Sequence, residues 1–292
     1  MQVASIISTK GGVGKTTTAA NLGGLAADAG LRVLLFDLDV QPALSSYFAL
    51  KSRALAGVYE LLAYNERRVE RIVSRTTVDG LDIVLSNDDR GELNTLLLHA
   101  PDGRLRLRHL LPTFSPHYDL VLIDTQGARS VLLEMAVLAS DIALSPVTPE
   151  MLSARELRRG TIQLIGDIAP YRHVGIEPPP LHLLINRVPA VSTNARLIQQ
   201  ALRDVFSDQP GVCVLGTDVP AIEAYPRAST QGLPVHRVER RKPVRRAAPA
   251  ALETMRALAG ELFPCWRARF AGVTGRPVGE SATREAALGQ DE

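Results

Sequence analysis

The stretch that decides the fold is TKGGVGKTT, residues 9–17, which follows an apolar run at the start of the chain. Its glycines allow the backbone to wrap closely around a phosphate chain, and Lys15 supplies the cation that offsets the terminal phosphate charge. The common pattern G-x-x-x-x-G-K-[ST] requires glycine where this chain has Thr9, and a second lysine, Lys10, comes next. The stretch therefore predicts a variant phosphate-binding loop, in which the second lysine still needs an explanation.

The backbone N–H groups of this loop are expected to hold the phosphates together with the first turn of the following helix. A helix that begins near Lys15 directs the positive end of its dipole toward them, and Thr16 is placed to offer its hydroxyl to Mg²⁺. The residues predicted to bind the nucleotide are Gly11, Gly12, Val13, Gly14, Lys15, Thr16 and Thr17.

Composition narrows the classes of protein to which this chain can belong. The chain has 292 residues, 46% of them hydrophobic, and we expect one domain over residues 1–265 and a disordered tail over 266–292. Cys213 and Cys265 lie far apart without C-x-x-C spacing, which excludes a disulfide scaffold and gives no support to a zinc site. The N-terminus lacks a leader pattern, so we expect a cytoplasmic protein. A net charge of +2 does not by itself indicate a nucleic-acid partner.

Apolar strand-like runs alternate along the chain with segments of helical period, the first of them a helix at 15–28. The runs lie at residues 3–8, 32–39, 118–125, 141–147, 181–188 and 212–216. Their near-continuous Val, Ile and Leu content is typical of strands buried on both faces. We therefore predict an α/β fold of the P-loop NTPase type, with a mostly parallel sheet and helices on both faces. For residues 51–116 we predict short helices around one strand at 81–85.

Three aspartates end predicted strands, at the edge of the sheet where ligands of such folds bind. Asp124 follows LVLI and is expected to reach a metal beside Thr16, directly or through water. Asp37 and Asp39 end RVLLFDLD, where the period of two points both side chains the same way. One of these two is expected to support the metal while the other orients the attacking water, and the pattern leaves open which does which.

The motifs KGGVGKTT, DLDVQP and YDLVLID, in this order and spacing, resemble the ParA/MinD family of deviant Walker A ATPases. The resemblance runs from Met1 to about Leu262 and is strongest to small ParA-type partition ATPases, so we expect no DNA-reading domain ahead of the loop. It implies that ATP lies between two protomers and that Lys10 reaches the phosphates bound by the other subunit. Under this interpretation the catalytic residues are Lys10, Lys15 and Asp39.

The same resemblance implies further roles around the nucleotide. Asp39 would orient the hydrolytic water and Asp37 would assist the Mg²⁺ shell held by Thr16 and Asp124. Asn186 matches a position that contacts adenine, and the segment with Asp218 and Pro220 resembles the other wall of the base pocket. Residues 186–189 read NRVP rather than the guanine-type N-K-x-D, which favours ATP over GTP. After Asp124 the chain has Thr-Gln-Gly where the family often has a proline pair, which leaves the conformation of this loop open.

Basic residues are concentrated in RVERRKPVRR, residues 237–246, which holds a single acid. Such a run is either a solvated surface segment or a contact for DNA phosphates. Arginines that often follow the TDVP-like segment in the family are replaced here by Ala221 and Ala224. The candidate DNA contacts are Arg187, Arg196, Arg203, Arg227, Arg240, Arg241, Lys242, Arg245 and Arg246.

The resemblance implies a DNA-partitioning ATPase that forms a homodimer on binding ATP and Mg²⁺ and then binds double-stranded DNA without sequence preference. Slow hydrolysis would be stimulated by a ParB-like protein, and the ATP form would associate with the nucleoid. The alternative is a MinD-like ATPase that associates with membrane or positions a protein cargo. Stable membrane association is not expected, since Pro264 interrupts the amphipathic segment at 252–270. An iron-protein-like reductase is disfavoured because the two cysteines do not form a ligand set.

Overall fold

A nine-stranded sheet runs through the protein, which the computed structural model describes over residues 1–190, 192–206 and 209–275. The strand order is β3-β4-β5-β2-β6-β1-β7-β8-β9. Seven neighbouring strands are parallel, and only the β3–β4 and β4–β5 pairs within the described sheet are antiparallel. The strands are β1 Gln2–Ile6, β2 Val33–Asp37, β3 Leu50–Ser52, β4 Val73–Thr76, β5 Leu81–Val84, β6 Leu120–Asp124, β7 Ile142–Val147, β8 Leu181–Ile185 and β9 Val212–Val214.

Helices cover both faces of the sheet. They are α1 Lys15–Asp28, α2 Val58–Tyr64, α3 Val69–Ile72, α4 Glu92–His99, α5 Arg106–Leu110, α6 Val131–Leu138, α7 Met151–Glu156, α8 Gln163–Ile168, α9 Thr193–Phe206, α10 Ala224–Gln231, α11 Val235–Val238, α12 Ala251–Leu262 and α13 Arg267–Gly272. A π-helical turn, Leu157–Ile162, joins α7 to α8. The predicted α/β class, with a mostly parallel sheet between two layers of helices, is confirmed.

Alternate residues of the central strands enter different cores, which explains their uninterrupted apolar sequence. Val33 and Leu35 of β2 pack with α1 and α12, whereas Leu34 and Phe36 pack on the opposite face with α4 and α6. A third apolar cluster lies under α8 and α9, near β7 and β8. Since both faces of these strands are buried, the carboxylates Asp37 and Asp124 lie at strand ends, whereas the polar residues inside β1 and β7, Ser5 and Ser145, are small.

The segment 51–116 contains more strand than its sequence predicted. The strand at 81–85 is present as β5, but β4 pairs with it in antiparallel orientation and β3 pairs with β4. Both additional strands are short, and their sequences, VSRT and LKS, carry no apolar run or alternation. Pairing with a neighbouring strand, rather than local propensity, therefore determines their conformation.

Part of the predicted tail belongs to the folded domain. Residues 264–266 form a 3₁₀ turn and α13 follows it, with Phe270 and Val273 buried in the same cluster as α1 and α12. The folded part therefore extends beyond residue 265, because these two apolar side chains have a place in the core. Residues 276–292 lie outside the described part of the chain. Among the described helices, none has the length and hydropathy needed to cross a lipid bilayer.

Helix α1 is joined to α11 at two points. Asn21 accepts a hydrogen bond of 2.6 Å from the backbone N–H of Val235. At the end of α1 the carboxylate of Asp28, 1% exposed, accepts hydrogen bonds from Arg237 at 2.5 and 2.8 Å and lies 2.7 Å from His236 Nε2. Burial alone would raise the pKa of Asp28, but the hydrogen bonds from Arg237 and His236 outweigh it and hold this pKa below its usual range.

Replacing Asp28 by Asn should lower the free energy of unfolding by about 3 kcal/mol at pH 7, because the change leaves a buried guanidinium uncompensated. The pKa of Asp28 is lowered in the folded protein, so its stabilisation is present above the unfolded pKa and disappears as pH falls through the folded value. The difference between variant and wild type in urea unfolding should therefore shrink below about pH 4. Asp79→Asn, which removes an exposed pair with Lys51, is the control and should leave stability unchanged.

Candidate functional site

The phosphate loop lies between β1 and α1, at the carboxyl edge of the central strands. Gly14 is the N-cap of α1 with φ 94°, a backbone conformation that L side chains rarely adopt. A Cβ at this position would also lie 2.4 Å from the side-chain nitrogen of Asn186. Glycine is therefore needed at position 14 for two reasons: the backbone has a positive φ, and the side chain of Asn186 lies too close for a Cβ.

Asn186 follows β8 and fastens the loop from the side. Its Nδ2 donates a hydrogen bond of 2.7 Å to the carbonyl of Val13, and the residue is 5% exposed. It also lines a cavity of about 510 Å³ together with Thr17, Arg187 and Pro220. The structure thus places the predicted base contacts Asn186 and Pro220 around one cavity beside the loop.

Asp218, predicted for the same wall, is held by α9 instead. Its carboxylate accepts hydrogen bonds of 2.7 Å from Arg203 and 3.0 Å from Gln199. Arg203 also donates to the carbonyl of Leu215 at 2.7 Å. Both members of this ion pair are engaged within the domain, so Asp218 does not join Asn186 and Pro220 at the cavity.

A second cavity, of about 600 Å³, opens over the loop itself and is the predicted phosphate site. Asp39, Gln41, Gln126 and Arg187 line it together with Gly11, Gly12, Gly14, Lys15, Thr16 and Thr17. Neither glutamine was predicted as a site residue, although Gln41 lies within the DLDVQP motif and Gln126 within the Thr-Gln-Gly sequence after Asp124. Asp39 itself lies beyond the end of β2, which stops at Asp37. Strand alternation therefore does not extend to Asp39, although the charges of Asp37 and Asp39 both act on Asp124.

Two buried carboxylates lie side by side at the ends of β2 and β6, where Asp37 pairs with Asp124 in register. Thr16 donates a hydrogen bond of 2.6 Å to Asp124, and the backbone of Ser45 donates one of 2.7 Å to Asp37. Burial raises the pKa of Asp124 to about 7 and that of Asp37 to about 6, against the opposing effect of these hydrogen bonds. Such carboxylates favour a cation beside them, since it would offset the cost of burying their charge.

The two lysines of the loop have different surroundings. Lys15 is 7% exposed, and burial lowers its pKa, while the charges of Asp124 and Asp39 oppose that effect. Lys10 instead extends toward α7, where its Nζ lies 3.0 Å from Ser153 Oγ, 3.3 Å from Glu156 and 3.6 Å from Glu150. Lys15 is thus part of the carboxylate cluster, whereas Lys10 is held outside it by its own chain.

The loop after Asp124 packs directly on the phosphate loop. A Cβ on Gly127 would lie 2.8 Å from the Cα of Gly11 and 2.9 Å from its nitrogen. Thr125 fixes the start of this loop by donating a 2.8 Å hydrogen bond to the carbonyl of Ile6. Arg129, two residues beyond Gly127, forms an ion pair of 2.6 Å with Asp167 of α8. The Thr-Gln-Gly sequence therefore allows a backbone contact that a side chain at 127 would prevent.

The basic candidates fall into two groups. Arg203 and Arg246 are engaged within the domain, the second by hydrogen bonds of 2.6 and 2.8 Å to Glu239. Arg227 is exposed and donates only a long bond to the carbonyl of Val238. The remaining candidates are exposed and form no ion pair with any described residue, namely Arg187, Arg196, Arg240, Arg241, Lys242 and Arg245. Within the run 237–246, Arg246 is thus bound to Glu239, whereas Arg240, Arg241, Lys242 and Arg245 form an exposed cationic surface.

Comparison with known sequences matches residues 1–171 to a family model described as an AAA domain. The putative replication protein A of Sinorhizobium fredii is 34% identical over 188 residues, which are 60% of this chain and 46% of that relative. The sporulation initiation inhibitor protein Soj of Bacillus subtilis is 27% identical over 80% of this chain and 90% of its own length. The chromosome partitioning protein ParA of Myxococcus xanthus is 32% identical over 55% and 56% of the two chains. The chain therefore spans less than half of the first relative and nearly all of Soj.

Among solved structures, that of Cyanothece apo McdA superposes with a TM-score of 0.71 at 22% identity, covering 80% of this chain and 92% of the other. At this level of identity the likeness concerns the fold. It supports the α/β fold with a mostly parallel sheet between helices.

Replacing Gly127 by Ala should lower the affinity for ATP, the nucleotide predicted by the sequence, by roughly tenfold or more, because the new methyl displaces the backbone of Gly11. Isothermal titration calorimetry of the purified variant measures this directly. Gly166→Ala is the matched control, since a Cβ at that helical position would meet no described residue outside its own helical turns within 4 Å. Wild-type affinity in Gly127→Ala would show that the two loops do not need to touch.

Proposed function

We propose that this chain, which belongs to the AAA domain family and is a ParA/MinD-type ATPase, dimerises around MgATP. In the ATP-bound dimeric state it would bind double-stranded DNA and partition it. The observation that carries the proposal is the separation of the two lysines on one loop. Lys15 is buried with the carboxylates, whereas Lys10 is held by two exposed acids, Glu150 just before α7 and Glu156 at its end. A lysine with replaceable partners is suited to a contact that forms only when a second protomer arrives.

ATP would place its phosphates over the glycines and Lys15, with the base in the cavity beside Asn186 and Pro220. Within residues 1–190, 192–206 and 209–275, no group of three or more His, Cys, Asp or Glu side chains is arranged to hold a metal ion. A Mg²⁺ ion would therefore use the Thr16 hydroxyl and phosphate oxygens, with Asp124 and Asp37 supporting its shell. The bound ion would supply positive charge where these buried carboxylates lack it.

Dimerisation would require Lys10 to leave Glu150, Glu156 and Ser153. These acids are half-exposed or more, with 65% and 50% of their side chains accessible, and exposed ion pairs contribute only about 0–1 kcal/mol. The phosphates of a partner's nucleotide carry more charge than either acid and would lie in a less exposed site. Because the lysine would act across the interface, ATP binding and dimerisation would strengthen each other by the same factor.

Hydrolysis would use Asp39 to orient the attacking water. Its side chain lines the phosphate cavity, and the backbone N–H of Gln41 donates a 3.0 Å hydrogen bond to Oδ1. That bond fixes one carboxylate oxygen and leaves the other free to accept a hydrogen bond from the attacking water. Gln41 and Gln126 line the same cavity as neutral groups, so turnover would stay slow until a ParB-like partner completes the site.

The DNA interaction would use the exposed arginines and Lys242, because phosphate contacts require only clustered cations and carry no sequence information. A membrane role has less support from the packing of residues 252–270. The apolar side chains Leu258, Leu262 and Phe270 are in the core rather than on a face available to lipid. With DNA as its partner, the ATP form would associate with the nucleoid.

Lys10→Ala should leave ATP binding by the monomer within about threefold of wild type while abolishing ATP-dependent dimers, because the trans contact is removed and the cis site remains. Lys15→Ala should instead weaken ATP binding by about 100-fold. Calorimetry and light scattering after size exclusion separate the two effects, and Lys51→Ala serves as a remote lysine control. Dimers of Lys10→Ala with ATP would contradict the trans role.

The function itself is tested by fluorescence anisotropy with a labelled, non-specific duplex across a salt series, with MgATP, with MgADP and without nucleotide. We expect affinity only with MgATP, falling linearly on a plot of log affinity against log salt concentration. No binding in any state would contradict the DNA proposal, and equal binding in all three would separate DNA binding from the nucleotide.

A further inference from the structure

A cavity of about 870 Å³ lies between the segment that follows α11 and the side of α12. Four arginines line it, Arg237, Arg240 and Arg241 from one segment and Arg256 from the middle of α12, together with the hydroxyl-bearing Thr274. No acidic side chain is among the described residues that line it. Guanidinium groups stay charged at every physiological pH, so their mutual repulsion is not relieved by loss of a proton.

Only one of these four charges is compensated. Arg237 is 12% exposed and bound to Asp28, whose carboxylate is fully used by Arg237 and His236. Arg240, Arg241 and Arg256 form no ion pair with any residue in the described ranges. Three positive charges are therefore gathered around one open space, and no carboxylate of the described residues forms an ion pair with them.

Arg256 is fixed in position and still has an unused donor. Its Nη2 donates to the carbonyl of Val273, while its Nε is buried and has no hydrogen-bond partner in the described structure. A buried N–H without a partner is unfavourable. An anion in this cavity would relieve the repulsion among the three charges, and the planar fork of a guanidinium matches two oxygens of a tetrahedral oxyanion.

We propose that this cavity binds a phosphate group, specifically a backbone phosphate of double-stranded DNA, an inference that rests on the DNA-binding function proposed above. The cationic surface continues outward from the cavity through Lys242 and Arg245, both exposed. A line of cations leading from a recessed site fits a chain of phosphates better than a single ion. Arg256 thereby becomes a DNA contact that lies outside the basic run.

The base of the site is rigid and remote from the nucleotide. Arg237 is bound to Asp28, at the end of α1 opposite the phosphate loop. Since α1 has 14 residues, the two ends are about 20 Å apart. Substitutions of the cavity residues Arg240 or Arg256 therefore test this site separately from the phosphate loop.

The test is anisotropy of a labelled duplex with saturating MgATP across a salt series, comparing wild type with Arg240→Gln, Arg256→Gln and the double variant. Each substitution should lower the salt slope by about one and raise Kd on the order of tenfold, since one phosphate contact is lost. Arg269→Gln, an exposed arginine on α13 outside the cavity, is the control and should bind like wild type. Thermal melting verifies that each variant is folded. Arg256→Lys keeps the positive charge, so it should recover much of the affinity that Arg256→Gln loses.

Wild-type affinity and slope in the double variant, with DNA binding intact in the parent protein, would overturn the site and leave the proposed function standing. Failure of the parent protein itself to bind DNA would overturn both. Binding of a free polyphosphate, rather than of a DNA backbone phosphate, is tested by titrating inorganic tripolyphosphate into the MgATP form of the protein. Tripolyphosphate binding that is lost in the double variant, without DNA binding by the parent protein, would reassign the cavity to a free polyanion and overturn the DNA assignment.

Discussion

The hydrogen bond between Thr16 and Asp124 joins the first turn of α1 to the end of β6, and the rest of the site is arranged around it. Asp124 is fully buried, so its charge depends on what lies close by. Lys15 follows the same glycine turn, and Asp37 lies beside Asp124 on the neighbouring strand. The parallel sheet is what makes this possible, because adjacent strands end at one edge and bring residues distant in sequence within reach.

Around this buried cluster, the more exposed groups have partners that are easily exchanged. Lys10 is bound by two accessible acids, and Asp39 lies beyond the strand with one oxygen held by a backbone N–H. Under the proposed function, the buried groups would define where phosphates and a cation bind, while the exposed ones would be free to respond to a nucleotide or a second protomer. Rigidity at the base of the site and freedom at its rim are what a regulated ATPase requires.

Much of this arrangement is predictable from the sequence, because the decisive groups lie in local patterns. The glycine loop, Lys15, Thr16 and Asp124 each follow from a short motif beside an apolar strand. The strands β3 and β4 do not, since neighbours rather than propensity impose them. The same holds for Asp218, which turns to Arg203, and for Arg256, which meets the basic run only after α12 packs against α11. Interactions between segments distant in sequence leave no local sequence pattern, so these strands and side-chain contacts are visible only in the folded structure.

The position of β1 at the centre of the sheet affects how the protein is made. Its partners are Leu120–Asp124 of β6 and Ile142–Leu144 of β7, so β1 has no strand to pair with until translation has passed Asp124. At typical elongation rates this delay is roughly 6–24 s. During that time the glycine-rich loop stands beside an unpaired strand. A central strand made long before its partners thus stays exposed longer than a hairpin strand, whose partner follows within a few residues.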